Sequence, residues 1–182
     1  MSRLWKKYQK EIIPEMKKNL GYKNDLAIPK ILKVTLNIGT GQGMKDEKFL
    51  EMVVNTLKRI TGQKPITTSA KKSISEFKIR KGLSVGVKVT LRGRRMYEFI
   101  DKLINVALPR VRDFRGLKPE SIDDQGNLNI GFDEHIAFPE IKVEEVERLH
   151  GLEVAISTNA KNRKEGLTLL KLLGFPFAKG EK

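Results

Sequence analysis

Two stretches of the sequence alternate between apolar and polar residues, and this alternation constrains the fold more than any other feature. In the first, Lys30–Ile38, every second residue from Leu32 onward is aliphatic; in the second, Leu83–Arg92, every second residue from Leu83 to Leu91 is Leu or Val. Successive side chains of a β-strand point to opposite faces of a sheet, so each stretch predicts a strand with one apolar face. Such strands fit a sheet that is covered on one side only.

Apolar residues that recur every three to four positions predict helices that could supply this cover. The clearest helix lies over Glu47–Thr61 and ends at Gly62. An earlier helix begins after Ser2, its expected capping residue, and contains Pro14, which should kink or split it. The remaining predicted elements are helices at Arg95–Leu108 and Lys161–Leu173 and strands at Leu128–Phe132 and Leu152–Thr158.

Helices and strands are mixed without regular alternation, and each of the two best strands has only one apolar face. This pattern predicts an α+β fold with two layers: an antiparallel or mixed sheet, helices packed on one face, and an open basic face that could bind RNA. A length of 182 residues and a hydrophobic content of 39% suffice for one core, so residues 1–182 are expected to form a single domain.

Positive charge is concentrated in the first half of the chain. Residues 1–94 hold 22 basic and 7 acidic residues (net +15), whereas residues 95–182 hold 14 and 15 (net −1), giving the total of +14. Ion-pair networks of a thermophilic protein would also raise the lysine content, but they need matching acids, which the first half lacks. We therefore predict a basic RNA-binding half at about 1–94 and a near-neutral half at about 95–182. The second half contains an acidic segment, 118–153, with 10 acids and 3 bases.

The polar faces of the two predicted strands carry groups suited to RNA phosphates and ribose hydroxyls. These groups belong to Lys33, Thr35 and Asn37 on the first strand and to Lys88, Thr90 and Arg92 on the second. Gly86 lies beside them, where a missing side chain lets a backbone approach closely. Aromatic residues are absent from this face, so structured, double-helical RNA fits it better than single strands. A solvated sheet face without a ligand would have a similar sequence.

The turn Asn37–Gly43 has glycine at positions 39, 41 and 43, after a strand and before a helix. Phosphate-binding loops occupy this place in many chains, but G-x-G-x-G lacks the spacing of the dinucleotide fingerprint and the Lys-Ser/Thr pair of a nucleoside-triphosphate loop. A backbone nest against an RNA phosphate, or simply a tight turn, is the preferred interpretation.

The segment Gln63–Arg94 has the highest density of positive charge, with Glu76 as its single acid. Residues 69–82 predict an extended hairpin or loop, and basic loops of this kind supply electrostatic affinity without sequence selectivity. Phe77 in this loop could stack on a base, but a contact that anchors the loop to the core is the preferred role.

Several classes of function find no support in the sequence. The chain has no cysteine and only two histidines, His135 and His150, so neither a metal nor a cofactor is predicted. No apolar run approaches the roughly 20 residues that span a bilayer, and no secretory signal is recognisable, so a cytoplasmic protein without a membrane partner is expected. An enzyme is not expected, because no catalytic dyad or nucleophile motif is visible. An RNA-modifying or nucleotide-dependent enzyme and a nonspecific nucleic-acid compaction protein are the alternatives.

Seven short motifs occur in one order from near residue 30 to the C-terminus. They are N-I-G-T-G at 37–41, Q-K-P-I-T-T-S-A-K-K-S-I at 63–74, F-K-I-R-K-G at 77–82, V-T-L-R-G at 89–93, N-V-A-L-P-R-V-R-D-F-R-G at 105–116, F-P-E-I at 138–141 and L-L-G-F-P-F at 172–177. In these motifs the chain resembles the family of bacterial large-ribosomal-subunit protein five, which binds 5S ribosomal RNA. It departs from the family pattern at 123–128, 142–143 and 161–164, all outside the basic half.

The resemblance implies a structural, non-catalytic protein whose open sheet face and adjoining turn bind 5S RNA, beside other 5S-associated large-subunit proteins and with no DNA partner. The strand faces and the resemblance together give the expected 5S-binding residues: Lys33, Thr35, Asn37, Gly39, Gly41, Gln63, Lys64, Lys88, Thr90 and Arg92.

Two further contacts are implied by the resemblance. A basic loop should reach the transfer RNA in the peptidyl (P) site through Lys71, Lys72, Ser73, Lys78, Arg80 and Lys81. The family also touches the small-subunit head protein thirteen in an intersubunit bridge, and because that protein is basic, the acidic segment is a plausible partner for it. The residues expected at this bridge are Arg112, Phe114, Arg115, Glu144 and Glu145.

Overall fold

Both alternating stretches form neighbouring strands of one sheet in the computed structural model, which describes residues 2–41, 46–142, 144 and 146–178. Across these residues the sheet is antiparallel and five-stranded, in the order β2-β3-β1-β5-β4. The α+β prediction is therefore confirmed. The strands are β1 (Ile31–Gly39), β2 (Ile66–Ser69), β3 (Ser84–Leu91), β4 (Leu128–Phe132) and β5 (Leu152–Thr158).

The alternation in β1 begins later than the sequence predicted. Val34, Leu36 and Ile38 are buried as expected, but Leu32 is 42% exposed and Ile31 is buried in its place. Two residues therefore separate the first two buried positions, and the strict period of two holds only from Val34 onward. From that point the polar residues of β1 occupy the opposite face, as the sequence indicated.

The helices are α1 (Arg3–Lys7), α2 (Ile13–Leu20), α3 (Glu47–Thr61), α4 (Gly93–Lys102) and α5 (Arg163–Leu173). The bounds of α3 agree with the sequence, because both ends have strong local signals. The carboxylate of Asp46 accepts hydrogen bonds from the backbone N–H groups of Lys48 and Phe49, and Gly62 ends the helix at a φ of 65°. None of the described helices is long and apolar enough to cross a membrane.

The interruption expected at Pro14 takes the form of a π-helical turn. Residues Tyr8–Ile12 adopt this conformation between α1 and α2, immediately before the proline. Proline has no N–H to donate to the preceding turn, so the regular hydrogen-bond pattern cannot continue through it. π-Helical turns are rare and occur mostly as single turns within α-helices, as this one does. A second π-turn, Leu103–Ala107, extends α4 toward Pro109.

The chain divides into two compact units assembled from interleaved segments. Unit 1 comprises Met1–Val34, Leu91–Ile130 and Val154–Lys182, and unit 2 comprises Thr35–Thr90 and Gly131–Glu153. Within unit 1, α1 packs on α4, and Tyr8 is buried there with its hydroxyl donating to the Pro29 carbonyl at 3.1 Å. Burial raises the pKa of Tyr8 to about 12.

Unit 2 has its own apolar core. Its buried residues come from the apolar faces of β1 and β3 and from α3, whose Val53 and Leu57 are fully enclosed. Because these faces are committed to the core, the polar faces of β1 and β3 are left for solvent or a ligand.

Candidate nucleic-acid interface

The polar face of unit 2 is built by two adjacent strands. Thr35 and Asn37 of β1 and Thr90 of β3 are half-buried, whereas Lys88 of β3 is exposed. No ion pair in the described part of the chain involves Lys88, so its ammonium group is available to an external anion. We define these four residues as the sheet face. Hydroxyl, amide and ammonium groups side by side can hydrogen-bond ribose and phosphate oxygens.

Gln63 is held against this face rather than free beside it. Its side-chain nitrogen donates to the Thr90 carbonyl at 3.1 Å, and the hydroxyl of Thr61 accepts from the Gln63 backbone N–H at 3.3 Å. This bond holds the Gln63 side chain at the backbone of Thr90, one of the residues of the sheet face. Lys64, the next residue, is exposed.

Gly86 is the position where a backbone approaches closely, and that backbone belongs to the neighbouring strand. A Cβ atom built on Gly86 would lie 2.9 Å from the Ile38 carbonyl oxygen and 3.1 Å from the Thr68 hydroxyl. Any side chain at Gly86 would therefore push β1 and β3 apart. The predicted close approach is confirmed, and its role is to let these two strands pair beneath the sheet face.

The glycine turn begins where β1 ends. Gly39 and Gly41 are exposed, and a Cβ atom on either would meet open space. Between them the Thr40 N–H donates to the Val85 carbonyl at 3.0 Å, which continues the β1–β3 pairing into the turn. Gln42 and Gly43, also part of the predicted turn, lie outside the described residues.

Two of the predicted RNA-binding residues belong to unit 1. Lys33, at the start of β1, is half-buried, and Arg92, just past the end of β3, is exposed. Lys33 lies in β1 as the sequence indicated, whereas Arg92, expected on the second strand, is instead the residue before the helix that begins at Gly93.

Residues 70–83 form a hairpin that extends from β2 and β3. Its two arms are joined by backbone hydrogen bonds between Ala70 and Leu83 and between Ile74 and Ile79. The hydroxyl of Ser73 accepts from the Lys81 N–H at 3.0 Å and fixes one arm to the other. All five cations of this basic hairpin are exposed, and no ion pair of the described residues involves them: Lys71, Lys72, Lys78, Arg80 and Lys81.

The preferred role of Phe77 as a core anchor is wrong. Phe77 lies at the tip of the basic hairpin with 62% of its surface exposed, and Ile74 is 45% exposed. The hairpin is instead fixed by backbone pairing and by a tight turn in which Lys78 has a φ of 53°. The tip therefore presents an aromatic ring beside cations.

The residues predicted for the intersubunit bridge fall in two places. Arg112 and Arg115 are exposed and Phe114 is half-buried in the loop of unit 1 that follows Pro109. Glu144 is exposed in unit 2. Glu145 lies outside the described residues.

A cleft of about 800 Å³ in unit 2 adjoins the glycine turn, and one of its lining residues, His150, belongs to a histidine pair that the sequence did not reveal. The rings of His135 and His150 are stacked 3.9 Å apart and within 5° of parallel, although the residues are far apart in the chain. His150 lines the cleft together with Arg148, whose guanidinium lies 4.6 Å from the centre of the Phe49 ring. No sequence spacing links these positions, so only the folded chain could show the pair.

Burial keeps both imidazoles neutral. It lowers the pKa of His150 to about 4, with a further contribution from the neighbouring His135, and it also lowers the pKa of His135. Two imidazolium rings stacked at this distance would repel each other, and this repulsion also lowers the pKa.

Acidification is expected to destabilise unit 2 through this pair. Unfolded histidine titrates near a pKa of about 6.5, so between about pH 6.5 and pH 4 the unfolded chain binds more protons than the folded one. The free energy of unfolding should therefore fall as the pH falls through this window, as measured by urea unfolding at pH 7.5 and 5.0. His150→Phe should have a smaller difference between the two pH values; an unchanged difference would contradict the assignment.

Comparisons with known proteins cover nearly the whole chain. The family model described as ribosomal protein L5 matches residues 24–80, and a second model, which describes the C-terminus of the same ribosomal family, matches residues 84–177. A large ribosomal subunit protein uL5 from Thermoanaerobacter sp. is 52% identical over 98% of this chain and 100% of its own length. Proteins of the same name from Fervidobacterium nodosum and Colwellia psychrerythraea are 52% and 48% identical, over 97% and 98% of this chain and 96% and 99% of theirs.

Proposed function

The chain belongs to the ribosomal protein L5 family, and from this premise we propose that it binds 5S ribosomal RNA through the sheet face of unit 2. Membership of the family makes it a structural, non-enzymatic constituent of the large ribosomal subunit, which in bacteria lies in the cytoplasm. What we propose beyond this role is which RNA the chain binds, which of its residues bind that RNA, and which other partners it contacts.

One observation carries the proposal: the sheet face combines an unpaired cation with ordered hydroxyl and amide groups. Lys88 supplies the charge, while Thr35, Asn37 and Thr90 stand half-buried on paired strands and so have few alternative positions. Rigid donors and acceptors of this kind fix the register of an RNA backbone, and cations add affinity by releasing counterions. Gln63 and the exposed Gly39 and Gly41 extend this surface, and Lys33, Lys64 and Arg92 supply further charge.

For the basic hairpin we propose contact with the transfer RNA in the P site. Its cations are exposed and its only acid is Glu76, so its field attracts phosphates. Backbone pairing between its arms presents the charges on a preformed element, which lowers the entropic cost of ordering them on binding.

For the bridge we propose that the basic head protein thirteen of the small subunit contacts the five residues expected there, of which the structure describes Arg112, Phe114, Arg115 and Glu144. Glu144 belongs to the acidic segment and could pair with its basic groups, and Arg112 and Arg115 provide exposed guanidinium groups around Phe114. Rim charges of this kind mainly steer association and set its salt dependence.

A competition titration tests the central proposal. Labelled 5S RNA is bound to the full chain at near-physiological salt and then challenged with unlabelled 5S RNA, transfer RNA or duplex DNA. Only unlabelled 5S RNA should displace the label efficiently, because the sheet face has positioned hydrogen-bonding groups as well as charge. Equal displacement by all three would instead support a nonspecific nucleic-acid compaction protein.

A further inference from the structure

We propose a second RNA-binding point in unit 1: a cleft that holds one unpaired nucleotide, with its base stacked on Trp5. The cleft has a volume of about 370 Å³ and is lined by Ser2, Trp5, Gly93, Arg94 and Tyr97. That volume suits a ligand the size of a nucleoside. All five residues belong to unit 1, whereas the sheet face belongs to unit 2.

The walls of the cleft are aromatic, which is the property that the sheet face lacks. Trp5 is half-buried, and its ring lies 5.0 Å from Tyr97 and 5.5 Å from Tyr8, stacked at 19° to the latter. This packing fixes the indole in one orientation before any ligand arrives. Preorganised aromatic rings of this kind stack on unpaired bases of any sequence.

A buried hydroxyl beside the cleft has no hydrogen-bond partner among the residues that the structure describes. Ser2 is only 7% exposed, and its Oγ atom makes no hydrogen bond to any of them. The sequence predicts Ser2 as the cap of the first helix, yet its side chain does not accept from the helix N–H groups. A buried polar group that is left unsatisfied is costly, so a rotation of the Ser2 side chain that brings this enclosed hydroxyl to a ligand atom in the cleft would gain a favourable contact.

The part of the cleft that Gly93 and Arg94 line suits a phosphate. Helix α4 begins there at Gly93, and no side chain caps its N-terminus. Arg94 is exposed, and its Nε donates to the Glu98 carboxylate at 2.6 Å, which orients the guanidinium while leaving further N–H groups free. An uncapped helix N-terminus next to an arginine favours an anion. Aromatic walls, a free hydroxyl and a phosphate position together match a nucleotide better than an apolar peptide.

The fluorescence of Trp5 tests this proposal directly, because Trp5 is the only tryptophan of the chain. The full chain is titrated with single-stranded hexa-adenylate and, separately, with a longer, stable blunt-ended RNA duplex at the same total concentration of phosphate groups. Hexa-adenylate should quench the fluorescence in a saturable manner, whereas the duplex, whose bases are already stacked, should quench it far less.

Two variants and one matched control make the test specific. Arg94→Gln should weaken hexa-adenylate binding about three- to tenfold, whereas Arg95→Gln, an exposed neighbour that does not line the cleft, should change it less than twofold. Ser2→Ala should weaken binding without lowering the melting temperature, because its hydroxyl has no partner in the free protein. Equal effects of the two arginine variants, equal quenching by the duplex, or no quenching would overturn the proposal.

A last variant separates this site from the sheet face. Lys88→Glu should leave the quenching by hexa-adenylate within about twofold of the wild type, since Lys88 belongs to unit 2. If Lys88→Glu abolished the quenching, the RNA would be bound at the sheet face and the cleft in unit 1 would not be an RNA site.

Discussion

Replacing Lys88 with glutamate is expected to weaken the binding of 5S RNA by about tenfold or more. Lys88 is the exposed cation of the sheet face and forms no ion pair with any acid in the described ranges, so its positive charge is available to a phosphate. The substitution removes one phosphate contact and places a like charge against the RNA backbone. A plot of the logarithm of the binding constant against the logarithm of the salt concentration should also become less steep. Its slope should fall in magnitude by about one, which corresponds to the loss of one phosphate contact.

The matched control is Lys164→Glu, which makes the same change in charge on an exposed residue of α5 in unit 1. Both variants should have wild-type melting temperatures within a few degrees, because neither lysine is buried. Affinities are measured by filter binding at several salt concentrations. If the two variants lost affinity equally, binding would depend on the total charge alone and the assignment of the sheet face would be wrong.

Removing the positive charges of the basic hairpin should weaken the binding of transfer RNA while leaving the binding of 5S RNA nearly unchanged. In the five-fold variant, glutamine replaces Lys71, Lys72, Lys78, Arg80 and Lys81, and the net charge falls from +14 to +9. Large subunits reconstituted with this variant should bind P-site transfer RNA about five- to tenfold more weakly, because the hairpin loses all its cations. Binding of 5S RNA by the isolated variant should remain within about threefold of the wild type, because the sheet face is intact.

A control with the same net charge replaces five exposed lysines outside the hairpin with glutamine. These are Lys18, Lys23, Lys30, Lys58 and Lys161. Subunits with this control should bind transfer RNA as the wild type does. The proposal for the hairpin fails if both variants weaken transfer-RNA binding to the same degree, or if the hairpin variant loses 5S RNA and keeps transfer RNA.

Phe77 shows where sequence reasoning about the hairpin failed. In the sequence, a phenylalanine among lysines is ambiguous, since an aromatic residue in a loop most often packs on the core. The ring is exposed because backbone pairing between the two arms already holds the hairpin in place, so no apolar anchor is required.

Local patterns gave the strand faces and most helix bounds correctly, because the period of side-chain direction is a property of the backbone itself. The faces of β1 from Val34 onward and of β3 from Val87 onward follow from alternation alone, and α3 follows from its Asp46 cap and its terminal Gly62. Leu32 was expected on the buried face but is exposed. The alternation of residue types did not show that the regular part of β1 begins only at Val34.

The α+β class, the polar residues of the sheet face, the basic hairpin and the family can all be read from the sequence, because they rest on local periodicity, charge and short motifs. The contacts between residues that are distant in the chain are visible only in the folded protein. The stacked pair of His135 and His150, the contact of Gly86 with the β1 backbone, and the cleft that joins Ser2 and Trp5 to Arg94 all unite segments far apart in the chain. Such contacts depend on how the whole core closes, and no local pattern encodes that closure.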